Sequence, residues 1–367
     1  MSSYEDLTAQ RIDHPLTVLG WTAELEAEFA SLAEAGLVPG RVARVDLGRC
    51  DVVIADASGV GLRTIRAETA PVLDPDPVNC PCTGDWAAVD LGASGMASLA
   101  ALLPRSTAVV RNSAGAGSDG QVLAVNVDAV LIVASLAAKP DLGRIERFLA
   151  LAWESGAQPI VVLTKADVTH AQGHIDDVEA VAPGAAVLVV SAVSGEGMDV
   201  LRACLPATTA LIGPSGAGKS TLTNALAGAE VMAVGETRDR DEKGRHTTTT
   251  RELIPLPGGG VLIDTPGLRG VGLYGGDGVE RAFSDIEELA ADCRFHDCAH
   301  DAEPGCAVKD AIEEGVLPAR RLVSYNKLLR ENERIAARTD ARLAAERVRQ
   351  GKHQWKLMMA ESNKPRP

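Results

Sequence analysis

The feature that most constrains the fold is a complete phosphate-binding loop pattern, G-x-x-x-x-G-K-[ST], at residues 213–220. The apolar run 209–212 before it predicts a buried strand, and 221–227 after it predicts a helix. In that setting, backbone N–H groups and a helix N-terminus surround phosphate oxygens. The alternative is a glycine-rich turn that matches by chance. The pattern therefore predicts a nucleotide-binding α/β domain, whose phosphate-contacting residues are Gly213, Pro214, Ser215, Gly216, Ala217, Gly218, Lys219, Ser220 and Thr221.

Two segments that precede this loop in the chain favour guanine over adenine. Asp167 ends the sequence Thr164-Lys165-Ala166-Asp167, which follows a predicted strand at 160–163. A carboxylate there accepts both N–H groups of the guanine edge, a donor pair that adenine lacks. The strand 187–190 leads into a second turn, whose backbone N–H is expected to meet the guanine carbonyl. The predicted base-contacting residues are Thr164, Lys165, Ala166, Asp167, Ser191 and Ala192.

A third segment, Asp264-Thr265-Pro266-Gly267, follows the apolar run 261–263. This placement predicts Asp264 beside Mg²⁺, bound through a water, and the N–H of Gly267 near the γ-phosphate. Lys219 is expected to reach the β- and γ-phosphates, and the Ser220 hydroxyl to bind Mg²⁺. Each motif lies at the C-terminal end of a predicted strand, where doubly wound sheets bind their ligands.

The order of these motifs is permuted. Ras-like GTPases carry their base-reading motifs after the phosphate loop, whereas in this chain they come first. The order predicts a circularly permuted GTPase, in which the segment after Gly267 runs directly into the C-terminal region. The nucleotide state would then reposition that region directly.

A polar segment at 235–250 separates the phosphate loop from Asp264, and its lack of periodicity suits a first switch. We expect Thr248 to place its hydroxyl on Mg²⁺, with Thr247 and Thr249 as alternatives; four threonines in an edge strand are the plainer interpretation. Leu268 stands where Ras-like proteins have a water-orienting glutamine. Slow intrinsic hydrolysis is therefore expected, and His246 is the nearest candidate for a catalytic group.

A second cluster, C-x4-C-x-H-x5-C, spans residues 293–306. Three thiolates and one imidazole complete a tetrahedral Zn²⁺ shell without an open position, which predicts a structural metal. His296 competes with His300 as the fourth ligand, and reduced buried cysteines are the alternative. The chain has seven cysteines and no pattern typical of a disulfide framework. The predicted zinc ligands are Cys293, Cys298, His300 and Cys306.

The N-terminal part reads as short β-strands separated by turns, at 41–45, 51–54, 61–67, 86–89 and 107–110. Five such strands favour an OB-fold β-barrel. Because aromatic residues make up only 3% of the chain, we expect any RNA contact there to use backbone or shape rather than base stacking. The arginines predicted to be exposed for this purpose are Arg41, Arg44, Arg49, Arg63 and Arg66.

These patterns predict a multi-domain protein. Residues 1–112 form the N-terminal segment and OB-fold, 113–283 the circularly permuted α/β P-loop GTPase domain, beginning with a Gly/Ser-rich linker, and 284–367 a mostly α zinc-binding domain with a basic helical tail. The net charge is −14, yet residues 320–367 contain thirteen Lys and Arg against five acidic residues. That asymmetry favours a tail that contacts nucleic-acid phosphates, with a solvated helix face as the alternative.

The complete set of motifs resembles the RsgA (YjeQ/EngC) family of bacterial circularly permuted GTPases. The similarity covers nearly the whole chain, including Gly84-Asp85-Trp86 in the barrel and residues 121–128. The resemblance implies low GTPase activity that rises on the small ribosomal subunit, and a first switch at His246-Thr247-Thr248 whose histidine acts in that stimulated hydrolysis. It also implies that Lys165 and Asp167 read guanine and that the cysteine/histidine cluster binds zinc. A Pro-rich loop at 71–82 departs from the family pattern.

Together with these motifs, the resemblance implies a GTPase that binds the small ribosomal subunit and its rRNA and assists its late maturation. The expected cofactors are GTP/GDP, Mg²⁺ and one structural Zn²⁺, and the catalytic candidates are Lys219, Thr248 and His246. Without an apolar run of membrane-spanning length or a signal pattern, we expect a cytoplasmic monomer that binds neither DNA nor membranes. The alternative functions are a GTP-regulated docking module whose zinc domain grips a protein, and a permuted GTPase for the large subunit.

Overall fold

The structure is a computed structural model that describes residues 14–92, 95–112, 120–169, 171–232, 251–268, 272–274 and 276–339. Its parts follow the predicted order. A closed β-barrel comes first, an α/β sheet follows, and helices with a cysteine/histidine cluster come last. The multi-domain fold class is confirmed. Within the described ranges, no helix combines the length and the apolarity needed to cross a bilayer.

The N-terminal barrel is preceded by a 3₁₀ turn at Pro15–Leu19 and by helix α1, Ala23–Glu34. Thr22 caps α1 as its side chain accepts a hydrogen bond from the Leu25 N–H at 3.4 Å. The strands close in the order β1-β2-β3-β5-β4, and alternate residues of β2 point into the barrel core. Their bounds are β1 Val38–Asp46, β2 Arg49–Ala55, β3 Leu62–Glu68, β4 Trp86–Asp90 and β5 Ala97–Leu102.

The fifth barrel strand differs from the sequence prediction. The run at 107–110 belongs instead to β6, Ala108–Asn112, which pairs antiparallel with β7, Gly120–Val125, outside the barrel. The barrel is closed by β5, whose sequence Ala-Ser-Leu-Ala-Ala-Leu is poor in the β-branched residues that mark strands. Residues 113–119, most of the predicted linker, lie outside the described residues.

Arg41 was predicted to be exposed, and this was wrong. Its side chain is 1% exposed, stacks over Trp86 at 4.6 Å, and donates to the carbonyl of Leu19 and, at 3.0 Å, to the hydroxyl of Thr208. Burial lowers the pKa of the guanidinium to about 10. Arg41 thus joins the barrel to the α/β sheet instead of facing solvent.

Three of the other barrel arginines that were predicted to be exposed are paired with carboxylates on the same surface. Arg44 contacts Asp46, Arg49 contacts Glu68, and Arg66 contacts Asp46 and Asp51. A phosphate group would have to compete with these carboxylates.

The central sheet has the order β10-β9-β8-β11-β13-β12, in which only the last pair is antiparallel among the described strands. The middle residues of its inner strands are apolar and buried, as is typical of parallel strands that are covered on both faces. Asp141 caps α2 by accepting from the Arg144 N–H at 3.1 Å. The bounds are β8 Ala129–Ser135, α2 Leu142–Glu154, β9 Gln158–Thr164, α3 Gln172–Glu179, β10 Ala186–Val189, α4 Met198–Cys204, β11 Thr208–Ile212, α5 Lys219–Ala227, β12 Glu252–Pro255 and β13 Val261–Asp264.

The C-terminal region consists of α6 Gly278–Ala282, α7 Ser284–Ala290, α8 Ala307–Glu313 and α9 Ala319–Thr339. Phe283, Val308 and Leu328 share one core with Phe148 of α2. Arg321 of α9 is buried and bonds to Glu146 of α2 and Asp285 of α7. The first part of the predicted basic tail is therefore packed against the α/β sheet, while 340–367 lie outside the described residues.

Candidate functional site

The phosphate loop follows β11 and leads into α5, with Gly213 to Gly218 between the two elements and Lys219, Ser220 and Thr221 in the first turn of the helix. Gly213 follows β11 with φ 155°, and a Cβ there would lie 2.5 Å from the carbonyl oxygen of Val133. Gly218 caps α5 with φ 91°, in the left-handed region that favours glycine. The two glycines let the loop turn tightly between neighbouring strands, so the first N–H groups of α5 point into the space that the loop encloses.

Lys219 and Asp264 are the two buried charged groups beside this loop. The Lys219 ammonium donates to the carbonyls of Gly213 at 2.9 Å and Pro214 at 3.0 Å. Burial lowers the pKa of Lys219, and the negative charge of Asp264 opposes that shift. Burial likewise raises the pKa of Asp264 to about 6, although Lys219 acts in the other direction. The lysine is thus held by two carbonyls of its own loop.

The residues present fit a magnesium ion. Oδ1 of Asp264 is buried and has no hydrogen-bond partner among the described residues, a costly state for a carboxylate oxygen. A hydrated Mg²⁺ supplies the missing partner, since its ligands are carboxylate, hydroxyl and water oxygens. Ser220, at the start of α5, is half-buried on the same loop. The other predicted ligand, Thr248, lies outside the described residues, as does His246.

The base-side segment is tied to the phosphate loop through two side chains. The Thr164 hydroxyl donates to the carbonyl of Ala217 at 2.6 Å, and the Lys165 ammonium donates to the carbonyl of Gly216 at 3.1 Å. Lys165 adopts φ 64°, which turns the chain sharply after β9. Sequence patterns do not predict this bridging role of Thr164, whose one signal is its place at the end of a buried strand.

Ser191 orients the carboxylate of Asp167. Its hydroxyl donates to Asp167 Oδ1 at 2.6 Å and accepts from the N–H groups of Val193 at 3.2 Å and Ser194 at 3.0 Å. The sequence assigned only the backbone of this turn to the base. The hydrogen bond from the Ser191 side chain fixes one oxygen of the Asp167 carboxylate and thereby sets the orientation of that group. Ala166 and Ala192 lie beside these two residues in the same turns.

The segment after β13 lies against the phosphate loop. A Cβ on Gly267 would lie 3.2 Å from the backbone nitrogen of Ser215, and the Leu268 N–H donates to the Gly213 carbonyl at 3.1 Å. The Leu268 side chain is 4% exposed and packs in the main hydrophobic core. As predicted, it offers no polar group to an attacking water.

The predicted metal cluster is assembled in the C-terminal region. The ligand atoms of Cys293, Cys298, His300 and Cys306 all lie within 4.8 Å of one another. The Sγ atoms of Cys293 and Cys306 are 3.9 Å apart, and Nδ1 of His300 is 3.4 Å from the Cys306 Sγ. A tetrahedral Zn–S shell with bonds of about 2.3 Å has S···S edges of about 3.8 Å, so these residues fit zinc. His296 is exposed and outside the cluster.

The structure thus brings the three nucleotide motifs and the phosphate loop to one edge of the sheet, because β9, β10, β11 and β13 are parallel and their C-terminal ends coincide. The motif after β9 precedes the phosphate loop in the chain yet lies beside it in space. The arrangement can hold a guanine at one end, phosphates in the middle and a divalent cation at the other end.

Comparisons with known proteins agree with this geometry. Residues 102–274 match the family model described as RsgA GTPase. The chain is 58% identical over 354 residues to the small ribosomal subunit biogenesis GTPase RsgA of Streptomyces avermitilis, covering 95% of this chain and 93% of that protein. It is also 58% identical over 338 residues to the protein of the same name from Streptomyces coelicolor, covering 90% of each.

Solved structures show the same fold. The crystal structure of YjeQ from Thermotoga maritima has a TM-score of 0.56 at 23% identity, covering 81% of this chain and 98% of that one. YloQ, a circularly permuted GTPase, has a TM-score of 0.56 at 25% identity, with coverage of 81% and 95%. With relatives this similar along nearly its full length, the chain belongs to the RsgA GTPase family.

Proposed function

We propose that this GTPase binds the small ribosomal subunit and assists its late maturation, hydrolysing GTP to GDP and phosphate at a rate that the subunit raises. The observation that carries the proposal is the 58% identity, over 95% of this chain, to a protein named for small ribosomal subunit biogenesis. The guanine-side geometry supports it, because Asp167 is held in one direction by Ser191.

In this proposal Asp167 accepts from the two N–H groups of the guanine edge, and the Lys165 methylenes lie along the base. The loop from Gly213 to Thr221 surrounds the phosphates. The Lys219 ammonium leaves its two carbonyl partners and moves to the β- and γ-phosphate oxygens, which offer it a full negative charge. The Gly267 N–H approaches the γ-phosphate from the opposite side.

Ser220 and Thr248 would hold Mg²⁺ directly and Asp264 through a water. The ion neutralises charge that develops on the phosphates during transfer. The chain's own contribution is to position the nucleotide and to exclude bulk water. Since Leu268 is buried and apolar, a group from elsewhere must orient the attacking water, and we assign this role to His246 once the protein is bound to the subunit.

We infer a zinc ion on the C-terminal cluster, where a closed Cys₃His shell is structural. The division into 1–112, 113–283 and 284–367 remains our proposal, as do rRNA contact, a monomeric state, a cytoplasmic location and the lack of DNA or membrane binding. Residues 320–367 carry the local excess of positive charge that suits rRNA phosphates. Because Arg320 and Arg321 are paired with carboxylates, we place such contacts further along the tail.

The test is GTP hydrolysis by the purified protein alone, with small subunits, with large subunits, and with a ribosome-free protein extract. We expect stimulation by small subunits only, with affinity that falls steeply as salt rises. The variant His246→Ala should bind the subunit without being stimulated, and Lys219→Ala should lose nucleotide.

Stimulation by the protein extract and not by ribosomal particles would instead support the protein-docking alternative. Stimulation by large subunits alone would contradict the choice of subunit. A His246→Ala variant that is stimulated like the wild type would remove that residue from the mechanism and leave the rest of the proposal standing.

A further inference from the structure

The barrel segment 78–85 touches Arg251, the residue that follows the first predicted switch. Thr83 is buried, and its hydroxyl donates to the carbonyl of Arg251 at 3.3 Å. Arg251 directly follows the polar segment 235–250 and directly precedes β12. The barrel therefore holds the backbone at the point where the first switch segment enters the sheet.

The same segment also touches the strand that carries Asp264. Gly84 has φ 100°, and a Cβ there would lie 2.9 Å from Cδ1 of Ile263 and would collide with the carbonyl of Val125. Only glycine lets the turn approach both β13 and β7 this closely. Ile263 is the residue immediately before Asp264, so the turn packs against the start of the chain that follows Asp264, which we call the second switch.

A third contact reaches the far end of the second switch. A Cβ on Gly120 would lie 2.7 Å from Cγ2 of Val78 and would collide with the ring of Tyr274, so both side chains lie over this glycine. Next to it, the Asn112 N–H donates to the carbonyl of Gly272 at 3.0 Å. The segment that follows the second switch thus lies against the β6–β7 pair, with Val78 beside it.

One arginine fixes the conformation of segment 78–85. Arg105 donates to both carboxylate oxygens of Asp85, at 2.7 and 2.8 Å, and to the carbonyls of Val78 at 2.5 Å and Cys80 at 2.7 Å. Asp85 is fully buried and also accepts from the Cys82 N–H at 2.7 Å. A bidentate guanidinium of this kind sets geometry as well as energy.

We propose that Arg105 is a positioning residue for GTP hydrolysis, acting through segment 78–85 on both switch segments. This inference rests on the proposed function, in which 235–250 and the chain after Asp264 respond to the γ-phosphate. Held by Arg105, the segment fixes Arg251, Ile263 and Tyr274 relative to the phosphate loop. Freed from Arg105, these three attachment points gain mobility, and the arrangement that contacts the γ-phosphate becomes harder to reach.

Two variants test this. Thr83→Val keeps the shape of the side chain and removes only the bond to Arg251, so it leaves the fold intact. Arg105→Gln releases Asp85 and the two carbonyls. The measurements are the affinities of each variant for fluorescent GDP and for a non-hydrolysable GTP analogue, together with single-turnover GTP hydrolysis.

We expect the affinity for the analogue to fall by about 5-fold or more in Arg105→Gln, in the range of typical coupling between sites, while GDP affinity changes by less than about 2-fold. GDP lacks the γ-phosphate and relies on the phosphate loop and the base-side turns. Thr83→Val should also lower the affinity for the analogue, but by a smaller factor. A merely structural defect would lower both affinities together.

The matched control is Arg147→Gln. Arg147 is 18% exposed against 15% for Arg105, and it likewise donates from two nitrogens to the two oxygens of one carboxylate, that of Glu331 in α9, so it is a comparable arginine–carboxylate pair outside segment 78–85. The Arg147→Gln variant should have the same ratio of analogue affinity to GDP affinity as the wild-type protein.

The inference would be overturned if Arg105→Gln lost affinity for GDP and for the analogue equally. It would also be overturned if the ratio of the two affinities were unchanged in both Arg105→Gln and Thr83→Val. A wild-type protein that binds GDP and the analogue with no dependence on the γ-phosphate would instead refute the proposed switches. The two failures are therefore distinguishable.

Discussion

The contact between α9 and the α/β sheet depends on one buried arginine. Arg321 donates to Asp285 at 2.8 and 3.0 Å, to Glu146 at 2.9 Å and to the carbonyl of Ala282 at 2.7 Å. Its guanidinium also lies 4.1 Å from the ring centre of Phe283. The substitution Arg321→Met keeps the apolar stem and removes all of these hydrogen bonds.

The expected loss of stability depends on the two carboxylates that lose Arg321 as a partner. Glu146 is fully buried and keeps a single described partner, the half-exposed Arg320 at 2.8 Å. Asp285 is 29% exposed and regains water. Breaking a buried ion pair from one side costs about 3–5 kcal/mol, because the remaining charge stays in a poorly solvated site. We expect Arg321→Met to lower the free energy of unfolding by about that amount.

The neighbouring residue provides the control. Arg320 meets the same carboxylate but is 39% exposed, so Arg320→Met should cost about 1 kcal/mol or less. Urea denaturation of the metal-loaded protein gives both values, and limited proteolysis reports whether α9 is released. If Arg321→Met costs no more than Arg320→Met, the argument from burial is refuted. In the double variant with Glu146→Gln, the loss should be smaller than the sum of the single losses.

Three further outcomes are expected. Asp167→Asn should weaken GTP binding by about 2 kcal/mol or more and favour xanthosine triphosphate, because an amide donates where the carboxylate accepted; unchanged nucleotide preference would contradict the base assignment. In the native protein a maleimide should label the exposed Cys204 but not Cys50 or Cys82, whose pKa values burial raises to about 12. After zinc chelation, mass spectrometry should show three more labelled thiols. Since burial raises the pKa of Asp264 from 3.8 to about 6, the folded state binds this proton more tightly, so its contribution to stability falls as pH rises from about 4 to 6. Asp264→Asn should therefore stabilise the protein free of nucleotide and magnesium by up to about 3 kcal/mol at pH 7, measured by urea denaturation, and an unchanged stability would refute this.

The placement of the site's residues in the fold could be predicted because their patterns are local. The phosphate loop, the Thr164–Asp167 segment and the cysteine/histidine cluster each need particular residue types at short spacing, and their flanking apolar runs identify the strands. The barrel was predicted less well. Its fifth strand, Ala97–Leu102, is alanine-rich, and tertiary pairing with β3 and β4 makes it a strand despite weak propensity.

The sequence by itself determined the order of the motifs and the fold class, and it predicted the guanine preference and the metal-ligand set, since all of these follow from residue type and spacing. Only the tertiary structure decided what distant residues do for one another. It buried Arg41 between barrel and sheet, and it brought Arg105 to Asp85 and Arg321 to Glu146. Whether an arginine faces solvent or a buried carboxylate depends on packing between elements far apart in the chain, and local periodicity carries no record of that packing.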